Sequence, residues 1–102
     1  MEFTRLSGAD LATLNDAIEH IVRAEFGDSA IDAVHVFPEI DDEGDEILRV
    51  AVILTTPSKF DPVKAKGLTR HIFPALKDSA RGVFPLVSFF SKSDYARLSA
   101  AA

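Results

Sequence analysis

Ile47-Leu48-Arg49-Val50-Ala51-Val52-Ile53-Leu54-Thr55 is the strongest strand signal in the chain, and its pattern decides how everything else must pack. Successive side chains of a strand point to opposite faces, so a strand buried on one side alternates apolar and polar residues. Here Leu48, Val50, Val52 and Leu54 line one face, while Ile47, Ala51 and Ile53 line the other. Between Ile47 and Leu54 only Arg49 is polar. Both faces of this strand need cover.

Upstream, Val34-His35-Val36-Phe37 is a second β-rich run. Asp41-Asp42-Glu43-Gly44-Asp45-Glu46 lies between the two, too charged to bury and carrying a turn glycine, so the pair reads as an antiparallel hairpin. Further back, Leu11, Leu14, Ile18, Ile21 and Val22 recur at helical spacing, with Asn15, Asp16, Glu19 and Arg23 elsewhere. Ser7-Gly8-Ala9-Asp10 has capping-box spacing and Gly27 supplies a stop, which predicts a helix over about 8–26.

Downstream, Asp61-Pro62 is a helix start: a capping carboxylate, then proline where its missing N–H costs nothing. Ala65, Leu68, Ile72 and Leu76 form the inward stripe of a second helix running to about residue 81, before Gly82. Gly67 and Pro74 weaken it, and a kink or break is expected near Phe73-Pro74. A third strand follows from Phe84 to Phe90, with Ser93-Asp94 placed to cap a short C-terminal helix through Leu98.

The order α-β-β-α-β predicts an α+β, two-layer fold: a three-stranded, mainly antiparallel sheet with two helices on one face. Residues 2–6 as an added first strand would make it a ferredoxin-like βαββαβ arrangement, the second choice. Two helices on one side cannot cover both faces of the middle strand. Either the C-terminal segment 93–102 or another chain must cover the second face. The expectation is a homodimer or small-protein interface that includes Ile47, Ala51 and Ile53, because large uncovered apolar patches are rare on monomers.

At 102 residues the chain has room for one domain, 1–102, and 47% hydrophobic residues suffice for its own core. With no cysteine, a disulfide framework, a thiolate zinc site and a cysteine nucleophile are all excluded. No stretch approaches the roughly 20 apolar residues of a membrane span. Met1-Glu2-Phe3-Thr4-Arg5 lacks the basic start and apolar run of a secretion signal, so a cytoplasmic protein is expected. Net charge is −5, unevenly spread. Residues 1–46 carry thirteen acidic and two basic side chains, and residues 47–102 three acidic and nine basic. One end can steer a charged partner.

Tested for chemistry, the residues give no catalytic centre, metal site or cofactor motif. Glu39, Asp41, Glu43 and Gly44 occupy the first, third, fifth and sixth places of an EF-hand-like loop, but the twelfth is Val50 and the flanks are strands. His20, His35 and His71 have no metal-ligand spacing, and no Gly-x-Ser-x-Gly elbow accompanies the serines. The five glycines are isolated, so neither a dinucleotide fingerprint nor a P-loop can be written. Lys59, Lys64, Lys66, Arg70, His71, Lys77 and Arg81 make the second helix and its approach basic. Lys66 and Arg70, one turn apart, are the candidate contacts for nucleic acid or an acidic partner.

In layout the chain resembles the minimal nucleotidyltransferases of bacterial toxin–antitoxin pairs. Leu14 to Phe26 looks like their amphipathic helix and Val34-His35-Val36-Phe37 like their first strand. A polar turn, Arg49 to Leu54 and Phe84 to Tyr95 follow at similar spacing. That family carries Gly-Ser where Pro38-Glu39 stands here, and metal-binding carboxylates where Arg49-Val50-Ala51 stands. The resemblance thus implies a catalytically inactive relative with a binding, antitoxin-like role, since two-metal phosphoryl transfer needs those carboxylates. The order is also similar to KH-like ribosome-binding factors. Lys64-Ala65-Lys66-Gly67 supplies one of the two glycines of their backbone clamp, which makes RNA binding through the basic helix the alternative function. The leading expectation is a non-enzymatic binding or regulatory protein.

Overall fold

The computed structural model of the chain describes residues 8–79 and 83–101. The elements are α1 (Gly8–Phe26), β1 (Ile31–Ile40), β2 (Glu46–Leu54), α2 (Pro62–Ser79), β3 (Phe84–Ser91) and α3 (Lys92–Ala101), with single 3-10 turns at Asp28–Ala30 and Pro57–Lys59. The strand order is β1-β2-β3, so the doubly apolar strand is central. The fold is α+β, as its pattern requires. β1 pairs with β2 antiparallel, whereas β3 pairs with β2 parallel. The sheet is therefore mixed rather than mainly antiparallel: α2 returns the chain to the starting end of β2 before β3 begins, and such a crossover yields a parallel neighbour.

One sheet face, the inner face, carries the core. Leu14, Ile18 and Val22 of α1 and Leu68, Ile72 and Leu76 of α2 pack with Val34, Val36, Leu48, Val50, Val52 and Leu54 in a single cluster. Burying side chains of this kind contributes roughly 1.5–3 kcal/mol each relative to exposure, and this cluster is the main source of stability. α1 ends at Gly27, whose φ of +92° suits glycine alone. From the last turn of α1 the Arg23 guanidinium ties helix to sheet. It bonds to Glu19 and Asp28 side chains and to the carbonyls of Ile31, at 2.9 Å, and Asp32, at 3.3 Å.

Asp61 caps α2, its Oδ1 accepting from Val63 N–H at 3.0 Å. Of the kink or break expected at Phe73-Pro74, the break does not occur: the helix runs on to Ser79. Pro74 lies on the exposed side, where the carbonyl it leaves free can meet water. Leu68 and Ile72 before it, and Leu76 after it, hold both halves to the core. The β1–β2 turn is built on Asp41, whose Oδ1 accepts from Glu43 N–H at 3.0 Å and Asp45 N–H at 2.8 Å. The cap of α3 is Ser91 rather than Ser93, its Oγ accepting from Asp94 N–H at 3.1 Å. The candidate strand at residues 2–6, the Ser7 cap and Gly82 lie outside the described residues.

A half-covered outer sheet face

The second face of the sheet, the outer face, is built from alternate residues of the three strands. The register sets Glu39, Ile47 and Phe84 in one row and Phe37, Arg49 and Leu86 in the next. His35, Ala51 and Ser88 follow, then Ala33, Ile53 and Phe90. α3 turns back across the last two rows. Tyr95 stacks on His35 of β1, with centroids 5.4 Å apart, and packs against Phe90 of β3 at 5.5 Å. Its ring thus bridges the two edge strands above the middle one.

Cover by α3 and the flanking side chains leaves Ile47, Ala51 and Ile53 only 8%, 2% and 3% exposed. These three are therefore sealed within one chain. A direct contact through them, as the pattern suggested, is not open. The reason is geometric: a central strand is shielded by its neighbours' side chains as well as by whatever lies above. The exposed side chains on this face belong instead to the flanking strands and to α3.

At the far end, beyond α3, the flanking strands are open. Phe37 is 38%, Leu86 39% and Phe84 53% exposed. Around the β3 edge Phe73 of α2, itself exposed, meets Phe84 edge-on at 6.1 Å. With ~150–250 Å² per aromatic side chain, these four leave on the order of 300 Å² of exposed apolar surface. Arg49 lies among them, its Nε donating to Glu39 Oε1 at 2.6 Å and Nη2 to Oε2 at 3.4 Å. The guanidinium holds the Glu39 carboxyl below the usual carboxylate range, and the carboxylate raises Arg49 in turn. This pair occupies the positions where the nucleotidyltransferase resemblance would put Gly-Ser and a metal-binding carboxylate.

The acidic turn, with Asp41, Asp42, Glu43, Asp45 and Glu46, borders this open end. Its Asp41 is committed to backbone bonds within the turn. Among the described residues no three His, Asp or Glu side chains form a metal-holding group.

Both sheet edges are blunted. On β1 the carboxamide of Asn15, from α1, donates to Val34 O at 3.0 Å and accepts from Val36 N–H at 2.9 Å. It offers the edge what a neighbouring strand would offer. β3 carries Pro85, which lacks a donor. Asn15 stood out in the sequence only as a polar residue on a helix; no local pattern links it to a strand nineteen residues away.

On the opposite side of the molecule Lys64, Lys66 and Arg70 are exposed, and no ion pair among the described residues involves them. His71 approaches Glu25 of α1 at 3.7 Å. The basic helix and the apolar patch are thus separate surfaces. The side chains of Lys77 and Arg81 lie outside the description.

Two shallow openings flank α3. One, of about 470 Å³, is lined by Phe90, Asp94, Arg97 and Leu98. The other, of about 380 Å³, includes Leu54, Phe60, Phe89 and Asp94. Asp94, which lines both, has its carboxylate paired with Arg97 and its N–H donated to the Ser91 cap. No described helix is long and apolar enough to cross a membrane. Compared with family models, with curated proteins and with solved structures, the chain has no match.

Proposed function

We propose that this protein is a non-enzymatic binding or regulatory domain that works by self-association through the open half of its outer sheet face. The observation that carries this reading is the exposure of Phe37, Phe84 and Leu86 around the Arg49–Glu39 pair, on one face of a sheet whose edges are both blunted. A folded chain that caps one edge with Asn15 and interrupts the other with Pro85 disfavours strand addition. Its large exposed aromatics are then left to a face contact. The Arg49–Glu39 pair in their midst would be buried by such a contact. Paired charges there contribute orientation and selectivity more than affinity.

Sedimentation velocity on the wild type and on Leu86→Lys tests this. The wild type should sediment as a dimer in the high micromolar range and the variant as a monomer with unchanged circular dichroism. A wild type that stays monomeric throughout overturns the reading.

The rival function places RNA on α2, and the exposed Lys66 and Arg70, in no ion pair among the described residues, favour it. Salt-dependent retention on RNA that is lost in Lys66→Ala/Arg70→Ala would support that rival.

A further inference from the structure

We infer that the occupant of the open half-face is α3 of a second copy, in a two-fold dimer where each α3 fills the other's recess. The inference rests on the self-association proposed above and specifies its geometry. α3 packs through Tyr95 over His35 and Phe90, while Phe37, Phe84 and Leu86 stay exposed among the described residues, so each molecule has a raised end beside an open one. Raised end and recess lie on the same face of the same sheet. Two copies turned face to face about a two-fold axis across the strands therefore engage twice, and the contact closes on itself. The basic face of α2 lies on the other side of the sheet. Docking it into the recess would give a head-to-tail contact that propagates unless a ring closes.

Charge and size agree with this occupant. The recess is bordered by the acidic turn 41–46, while α3 carries Lys92 and Arg97 against one carboxylate, Asp94. The side chains of Lys92 and Arg97 are 63% and 76% exposed, and their own pairs are surface pairs of little strength. With Tyr95 turned down onto its own sheet, Ser93, Ala96 and Arg97 are exposed on the remaining faces of α3. Ser93 and Ala96 are small enough to let a helix approach a sheet closely. A stable dimer of ordinary size buries about 800 Å² per partner. The apolar patch alone falls short of that, so a dimer must also draw on α3 and the turn 41–46.

The chain has no cysteine, so introduced thiols report contacts without background. Leu86→Cys in the recess and Ala96→Cys on α3 are made as separate, mass-distinguishable variants of the full chain, mixed, and treated with a short bismaleimide. Ala12→Cys on the exposed side of α1 is the control. The expected result is a dominant mixed 86–96 adduct, and none between either variant and the control. A dimer by sedimentation that gives no 86–96 adduct overturns this arrangement while leaving self-association standing. A monomer by sedimentation, with no adduct, overturns both.

Discussion

Replacing Asn15 tests whether a single side chain closes an exposed strand edge. Asn15→Ala removes the bonds to Val34 O and Val36 N–H, both at or under 3.0 Å. A protein hydrogen bond contributes about 0.5–1.5 kcal/mol net, so losing two costs about 1–3 kcal/mol. Alanine is the better helix former by up to about 0.7 kcal/mol, which offsets part of the loss. The net expectation is destabilisation of about 1–2 kcal/mol. In a domain of this size that lowers the Tm by about 5–15 °C. Urea unfolding followed by far-UV circular dichroism measures it, with Asp16→Ala as reference. Asp16 is exposed on the same helix and has no hydrogen bond to the sheet, so that change gains propensity and loses nothing. Asn15→Asp separates the two bonds. It keeps the acceptor for Val36 N–H but sets an oxygen against Val34 O, and should recover no more than half of the loss. If Asn15→Ala proves as stable as Asp16→Ala, the carboxamide is not closing the edge and the reasoning fails.

Other consequences can be measured independently. Gly27→Ala should destabilise by about 1–2 kcal/mol although no atom lies within 4 Å of the added carbon, because its φ of +92° strains any L side chain. Gly67→Ala, equally unobstructed but inside α2, should instead stabilise by roughly 0.5–1 kcal/mol, and thermal melts of the pair read opposite signs. Tyr95→Ala should undock α3, so that its amides exchange at rates near those of a free peptide while α1 and β2 stay protected; unchanged protection of α3 would contradict its packing. Because Arg49 lowers the Glu39 pKa in the folded state, the stability this pair contributes is present above the carboxyl's unfolded pKa. It is lost as pH falls through the lowered value. A carboxyl NMR titration should show Glu39 below the usual range in the wild type and back within it in Arg49→Ala.

The periodic segments were legible because one strong force sets their pattern. The stripe Leu14, Ile18, Val22 delimits α1, and the unbroken run from Ile47 to Leu54 marks the central strand. β1 extends well beyond Val34–Phe37 because an edge strand tolerates Pro38 and exposed polar residues that local propensity counts against it. Pro74 does not end the helix: its intrinsic cost is real, but Ile72 and Leu76 pack on either side and tertiary burial holds the helix through it. That the outer face needed cover could be read from Ile47, Ala51 and Ile53. Which residues remain available could not. Their exposure depends on Tyr95 reaching back to His35, a contact across sixty residues, and on the side chains of two neighbouring strands. Asn15 and the Arg49–Glu39 pair were hidden for the same reason, since each depends on register rather than on local sequence.

A dilution series followed by NMR shows most directly whether the open half-face is where two copies meet. From high to low micromolar concentration, the resonances of Phe37, Phe84 and Leu86 should shift together along one binding curve. Val63, 80% exposed on α2, should stay fixed. Patch resonances that do not move with concentration, or movement confined to Val63 and its neighbours, would contradict the account.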